Sequence, residues 1–291
     1  GLEWPANGLV QVPGATRDVA HTTCTVWRCA ACGSLNALEP IEPDKVYRNY
    51  PIQRQQYDLM SRAMFAKRLR ILRRVGLQRS HRVLDHGCGS GHFVRYLREA
   101  GFDAHGFDPY NPRHNDPAVL EGGFDVVCSQ DVIEHVDAPQ AFVQMLTGCA
   151  RADGLVVIGT PFADHVALDD RIDQLGVLHQ PFHRFVMARG QCEALFQAPG
   201  WRLAEVIEAC YIDTPLPFAN TQFLFRLFDS CDGLMDPAFE PLGAAHFLRH
   251  PGLLFWGLFG ALLARRQDLF AVLKPDAAAR PASAMAAQRA T

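Results

Sequence analysis

Between residues 54 and 75 the apolar positions recur at helical spacing, with Leu59, Met60, Ala63, Met64, Leu69, Leu72 and Val75 on one stripe. That period predicts an amphipathic helix. Arg62, Lys67, Arg68, Arg70, Arg73 and Arg74 stand between them with no acid among them, and read as a solvated basic face. Downstream the pattern changes to short apolar runs separated by helical stretches. Strands are predicted at 82–86, 103–107, 124–129, 155–159 and 200–207, and helices at 91–100, 138–149 and 188–196. Leu269 to Lys274 reads as a closing strand. The stretch from Asp108 to Phe124 carries Pro109, Pro112, Pro117, Gly122 and Gly123. It is too short for a further strand and a crossover helix, so that unit is expected to be trimmed or irregular.

Both ends of the chain read differently from this middle. Residues 1–50 look like an irregular extension with one short strand over Thr25 to Arg28. That strand runs into Cys29-Ala30-Ala31-Cys32-Gly33. Two thiolates at this spacing make half of a zinc knuckle, which His21 and Cys24 are placed to complete. Roughly 60 residues separate the strand at 200–207 from the closing strand, far more than a hairpin loop. They predict a helical, aromatic-rich cap over about 213–266. Within it Gly252 to Ala264 is apolar all round and is expected to be buried. Core packing, a homodimer interface, a wall for an apolar substrate and a membrane-resting patch all remain open for it. Residues 275–291, rich in Ala with Pro and Arg, are expected to be disordered.

The chemistry concentrates at Val83-Leu84-Asp85-His86-Gly87-Cys88-Gly89-Ser90-Gly91-His92-Phe93. An apolar run meets an acid, three glycines at alternate positions, then a helical pattern: strand, tight turn, helix. Such a turn lies at the carboxyl edge of a parallel sheet, where these folds bind ligands. A dinucleotide fingerprint would want its third glycine where His92 stands. An acid directly before the glycines would also repel a pyrophosphate and suits a cationic ligand better. Asp108 follows the next predicted strand, placed to hold ribose hydroxyls.

Three motifs carry a family resemblance. Val83-Leu84-Asp85-x-Gly87-Cys88-Gly89-x-Gly91 resembles the first motif of class I S-adenosylmethionine-dependent methyltransferases. Phe124-Asp125-Val126-Val127 followed by Asp131-Val132-Ile133-Glu134-His135-Val136 resembles their fourth-strand motif. Gly154 to Pro161 resembles their fifth strand. His86 departs from the pattern, which usually has an apolar residue there. The Cys29–Cys32 pair and the His179 to His183 stretch extend the resemblance to small-molecule methyltransferases with a Cys-rich, zinc-ribbon-like extension. The resemblance implies an α/β fold: a Rossmann-like, doubly wound, mostly parallel sheet with an antiparallel last strand, over residues 51–274. It implies S-adenosylmethionine as cofactor, with zinc in the extension as a further expectation.

It also assigns residues. Cofactor contacts are expected from Asp85, Gly87, Cys88, Gly89, Gly91, His92 and Phe93 in the turn, Asp108 and Pro109 after the second strand, and Ser129, Gln130 and Asp131 at the end of the fourth. Tyr47, Tyr50 and Tyr57 are expected as a lid. Methyl transfer to a hydroxyl or amine needs a base, and His135 and His183 are the candidates. His179 and His183 stand four apart, yet Pro181 between them argues against the single helical turn a metal pair would need. The metal set expected is Cys29, Cys32, Cys24 and His21.

Composition narrows the partners. The net charge of −3 gives no general attraction to nucleic acid. Nine cysteines, an odd number, suit reduced thiols and a cytoplasmic setting. The apolar run of the cap is too short for a membrane span. The reading is methyl transfer to oxygen or nitrogen of a small molecule. A nicotinamide-dependent oxidoreductase and a non-catalytic cofactor-binding protein are the alternatives.

Overall fold

The structure, a computed structural model, describes residues 8–47, 49–264 and 267–276. Strands β1 (Leu9–Pro13), β2 (Thr23–Arg28) and β3 (Leu35–Ala37) open the chain. The expectation of an irregular extension is therefore corrected. These strands pair antiparallel, and β8 (Phe185–Val186) joins them to give the order β1-β2-β3-β8. The signal is weak because the strands are short and the fourth arrives from 150 residues downstream. Val12, Val26 and Leu35 bury one face of this sheet against Ala163, Val166, Val177, Leu178 and Val186.

After the short helix α1 (Pro43–Val46) comes α2 (Leu59–Val75). Asp58 starts α2 with a reciprocal cap: its carboxylate accepts from Ser61 N at 2.8 Å, and Ser61 Oγ accepts from Asp58 N at 2.9 Å. Its apolar stripe is buried at Phe65, Leu69, Leu72 and Val75. The chain then alternates β4 (Arg82–His86), α3 (His92–Glu99), β5 (Asp103–Phe107), β6 (Phe124–Gln130), α4 (Pro139–Cys149) and β7 (Ala150–Pro161). Between β5 and β6 lie only turns and a 3-10 turn at Pro117–Glu121, the trimmed unit expected there. Next come α5 (Arg171–Val177), β8, α6 (Cys192–Leu195) and β9 (Trp201–Glu208). The helix expected at 188–196 shrinks to α6, preceded by a 3-10 turn.

With β10 (Asp268–Pro275) the main sheet has the order β5-β4-β6-β7-β10-β9. β5, β4, β6 and β7 run parallel, and β10 inserts antiparallel between β7 and β9. Alternate residues enter two cores. Val83, Val126, Val157 and Val272 face α2 and α3, while Leu84, Val127, Val156 and Leu273 face α4. Both faces are therefore covered, as a parallel sheet requires.

Residues 213–264 carry α7 (Thr221–Ser230), α8 (Ala244–Arg249) and α9 (Gly252–Phe259). Here the burial expected for Gly252 to Ala264 is corrected. Leu253 is buried against α7, but Leu254, Phe255, Leu258 and Phe259 are about half exposed and Leu262 is 82% exposed. One stripe of α9 packs on α7, and among the described residues no element buries Leu254, Phe255, Leu258 and Phe259. No helix among the described residues is long and apolar enough to cross a membrane. The expected disordered tail falls almost entirely on residues 277–291, outside the described residues.

Candidate functional site

The glycine turn joins β4 to α3 at the carboxyl edge of the parallel strands. Its three glycines have positive φ but different surroundings. A Cβ on Gly87 would meet Val132 Cγ2 at 2.2 Å, and one on Gly91 would meet His114 Nε2 at 2.2 Å. Those two are closed by protein packing. A Cβ on Gly89 would meet nothing nearer than Ile52 Cγ1 at 3.9 Å. Gly89 is thus the bare backbone that a ligand can approach.

Asp108 fixes this turn. Its Oδ2 accepts from Gly89 N at 2.8 Å and its Oδ1 from Tyr110 N at 2.9 Å. Each oxygen retains a lone pair for a further donor. Burial raises its pKa against those two backbone donors. Asn111, which no sequence motif marked, donates to Gly89 O at 2.6 Å. At the neighbouring strand end, Ser129 Oγ and Gln130 Oε1 are buried without a hydrogen-bond partner. Buried polar atoms are normally paired; the Gln130 carboxamide packs against Gly159, while Ser129 Oγ meets no partner among the described residues. Asp131 is already engaged: it accepts from Gln130 Nε2 at 2.7 Å and Tyr211 Oη at 2.8 Å, on a backbone at φ 55°.

Several expected contacts belong to the scaffold instead. Asp85 is 2% exposed and pairs with Arg68 Nη2 at 3.0 Å, so its charge is spent on a buried guanidinium and not on a ligand. Arg68 in turn lies over the Phe93 ring, 3.8 Å from its centroid. Phe93 therefore faces the core, and Arg68 leaves the solvated face assigned to it. Cys88 also points inward, packing against Gly106, and burial holds its thiol protonated. His92 Nε2 sits 2.8 Å from Gln55 O and anchors the segment before α2. Pro109 is exposed. Tyr57 is no lid: its hydroxyl donates to Glu99 on the outer surface.

Tyr47 and Tyr50 join one aromatic cluster. Tyr47 stacks on Tyr110 with centroids 4.6 Å apart, and Tyr50 packs on Phe182 at 4.5 Å. Tyr47 Oη lies 2.8 Å from His135 Nδ1, and that nitrogen donates to Phe182 O at 3.0 Å. A continuous line of contacts therefore runs from Gly89 through Asp108, Tyr110 and Tyr47 to His135. The His135 ring meets His183 at 4.7 Å and 85°. Burial lowers the His135 pKa to about 4, opposed by the Phe182 and Asp131 carbonyls, and lowers His183 further. Both rings are neutral at pH 7. That keeps a lone pair available but makes each a weak base, a correction to their expected strength as proton acceptors.

Glu134 stands beside His135 in the fourth-strand motif, which gives it no partner. It is 1% exposed, accepts from Thr160 Oγ1 at 3.0 Å, and leaves Oε1 unpartnered 4.0 Å from His183 Nε2. Only the fold brings residue 183 to it.

The expected zinc set does not assemble. Cys29 and Cys32 share the β2–β3 hairpin tip, where the N–H groups of Cys32 and Ala31 lower the Cys29 pKa. Cys24 lies inside the sheet, where burial and Glu39 raise its thiol, and His21 is exposed. Among the described residues only Glu134, His135 and His183 bring three candidate metal ligands together.

A family model described as a methyltransferase domain matches residues 53–206, more than half of the chain. A chain from the complex between the Haloferax volcanii Trm112 methyltransferase activator and its methyltransferase partner is 14% identical, with a TM-score of 0.51 over 82% of this chain and 99% of that one. Coclaurine N-methyltransferase bound to N-methylheliamine and S-adenosylhomocysteine is 14% identical, with a TM-score of 0.46 over 73% of this chain and 72% of that one. Burkholderia thailandensis 1,6-didemethyltoxoflavin-N1-methyltransferase is 16% identical, with a TM-score of 0.41 over 66% and 90%. A search of curated proteins finds no match. At these identities the structures speak for the fold alone; the family model decides against the oxidoreductase alternative. The chain belongs to the methyltransferase domain family.

Proposed function

We propose that this methyltransferase moves the methyl group of S-adenosylmethionine onto an oxygen or nitrogen of a small molecule, in secondary-metabolite, sugar or lipid biosynthesis. The observation that carries the reading is the open backbone at Gly89 beside Asp108, with Ser129 Oγ and Gln130 Oε1 buried and unpartnered at the same sheet edge. These residues fit the cofactor. Asp108 offers its remaining lone pairs to ribose hydroxyls, and Ser129 and Gln130 offer their unpaired oxygens to the methionine ammonium.

When bound, the cofactor supplies a methyl group already activated by its sulfonium. The protein's work is then alignment, exclusion of water and disposal of one proton. Tyr47 and Tyr50 close the site from above, and alignment of this kind contributes several kcal/mol. His135 and His183 present neutral imidazoles to the acceptor, holding its hydroxyl or amine rather than carrying its proton unaided. A small acceptor, not a nucleic acid, suits the net charge of −3. In this reading a second copy of the chain covers the exposed apolar face of α9.

Calorimetry with S-adenosylhomocysteine tests the reading. Micromolar binding is expected, weakened at least tenfold in Asp108→Asn. Undetectable binding by the wild-type chain would remove it. His135→Ala is expected to keep that binding and to lower turnover by about 10²-fold or more in an acceptor screen.

A further inference from the structure

We propose that Glu134, His135 and His183 form a binding site for a divalent transition cation, zinc being the ion their chemistry suits best. One ligand atom from each lies within 4.8 Å of the others. Two imidazoles and one carboxylate are a donor set for first-row divalent ions rather than magnesium or calcium, which prefer oxygen.

The surroundings are those of a built site. Glu134 is 1% exposed and its Oε1 has no partner, while Thr160 Oγ1 orients Oε2 from behind. His183 is 6% exposed; its Nδ1 donates to Val177 O at 2.5 Å, which leaves Nε2 unprotonated on the side of Glu134. His135 is fixed through Nδ1 by Phe182 O and Tyr47 Oη. Each ligand is thus oriented by a second hydrogen bond, as metal ligands usually are. The ring of His179 stands 4.8 Å from that of His183, and its Nε2 is also buried and unpartnered.

Burial, with the negative charge of Asp131 and Asp268 beside it, raises the Glu134 pKa well above the usual carboxylate range, so a cation there would take the place of a proton. A divalent cation would give the unpartnered Glu134 Oε1 a partner. Zinc–ligand bonds of about 2.0–2.1 Å place tetrahedral ligands roughly 3.3 Å apart, so the three groups would draw together by an ångström or so.

The role of the ion rests on the proposed methyl transfer; with the ion bound, His135 and His183 hold it and it holds the acceptor in their place. Its open position would take the acceptor hydroxyl and lower its pKa. The proton passes to water, the oxygen bonds the methyl carbon, and the carbon–sulfur pair stays on sulfur to give S-adenosylhomocysteine.

The test uses the full chain, stripped with a chelator and titrated with Zn²⁺, and with Co²⁺ for its visible absorption. One equivalent is expected to bind. Glu134→Gln and His183→Asn are each expected to weaken it at least tenfold, with the Co²⁺ bands shifted or lost. A Cys29→Ser/Cys32→Ser double variant is expected to bind as the parent does. No stoichiometric binding by the wild-type chain would overturn the proposal, as would binding lost in the cysteine variant and unchanged in Glu134→Gln. Titration of the same stripped samples with S-adenosylhomocysteine separates the readings: cofactor binding without metal binding leaves the methyltransferase reading standing and ends this one.

Discussion

The glycine turn and the histidine pocket sit at the same edge of the sheet but are built in opposite ways. The turn is contiguous. Residues 85–91 supply the bend, and Asp108 reaches it through one neighbouring strand. The pocket is assembled from three separated segments: Tyr47 before α2, Glu134 and His135 after β6, and His183 before β8. The turn offers backbone and a little charge. The pocket offers buried polar side chains, with Glu134 Oε1 unpartnered. A contiguous motif can be read from spacing, whereas a pocket made by distant segments depends on where the sheet and the small antiparallel sheet place them.

The largest test of that contrast concerns Asp85, which looks like part of the turn's chemistry but behaves as scaffold. Arg68→Met leaves a buried carboxylate unpaired and is expected to cost about 3–5 kcal/mol in chemical denaturation. Asp85→Asn made in the same chain should return much of that loss. If Arg68→Met instead left stability intact and only weakened cofactor binding, Asp85 would belong to the site.

His86 gives the next effect, visible in acid. It is 5% exposed, its Nδ1 is unpartnered, and burial lowers its pKa to about 4 from 6.5. The unfolded chain therefore binds the extra proton first. Its contribution is whole above pH 6.5 and is lost as pH falls toward 4, by up to about 3 kcal/mol. His86→Phe, between Phe107 and Phe142, should flatten the stability profile between pH 4 and 6.5. An unchanged slope would assign the acid limb to the histidine pocket alone.

The glycines sharpen the comparison within the turn itself. Gly87→Ala and Gly91→Ala force a Cβ into Val132 and His114 and should lower stability by about 1–3 kcal/mol each. Gly89→Ala carries only the cost of φ 53° in stability, about 1 kcal/mol, yet should weaken S-adenosylhomocysteine binding at least tenfold. Equal binding losses at all three positions would mean that Gly89 is not the point of approach.

The smallest stability effect is expected on α9 and the 3-10 turn that follows it at Gly260–Leu263. Leu258→Ser with Leu262→Ser replaces half-exposed and exposed side chains and should change monomer stability by about 0.5 kcal/mol or less. Light scattering should show the dimer weakened. A parent chain that is monomeric at all concentrations would exclude the second copy as the cover of this face.

The parallel strands and the glycine turn were legible because each rests on local rules. Apolar runs of strand length, a run of alternate glycines and an acid at the next strand end leave few other arrangements. The antiparallel place of β10 came from the resemblance, and the structure shares it. What misled was composition without context. Gly252 to Ala264 is apolar enough to belong inside, but α7 has room for only one of its stripes. Arg68 is one of six bases on a helix, and nothing in the stripe says that it alone turns inward to Asp85. Cys24 stands near Cys29 in the chain, but an antiparallel strand carries it into the sheet.

By itself, then, the sequence determined the succession of strands and helices along the chain, the bend at Gly87 to Gly91 and the presence of an acid at the next strand end. Those features follow from backbone sterics and from period, which act over a few residues. The tertiary structure alone decided which acid keeps its charge for a ligand, which aromatic rings cluster together, and that residue 183 would meet residues 134 and 135. Those outcomes depend on burial, and burial is set only when distant segments pack.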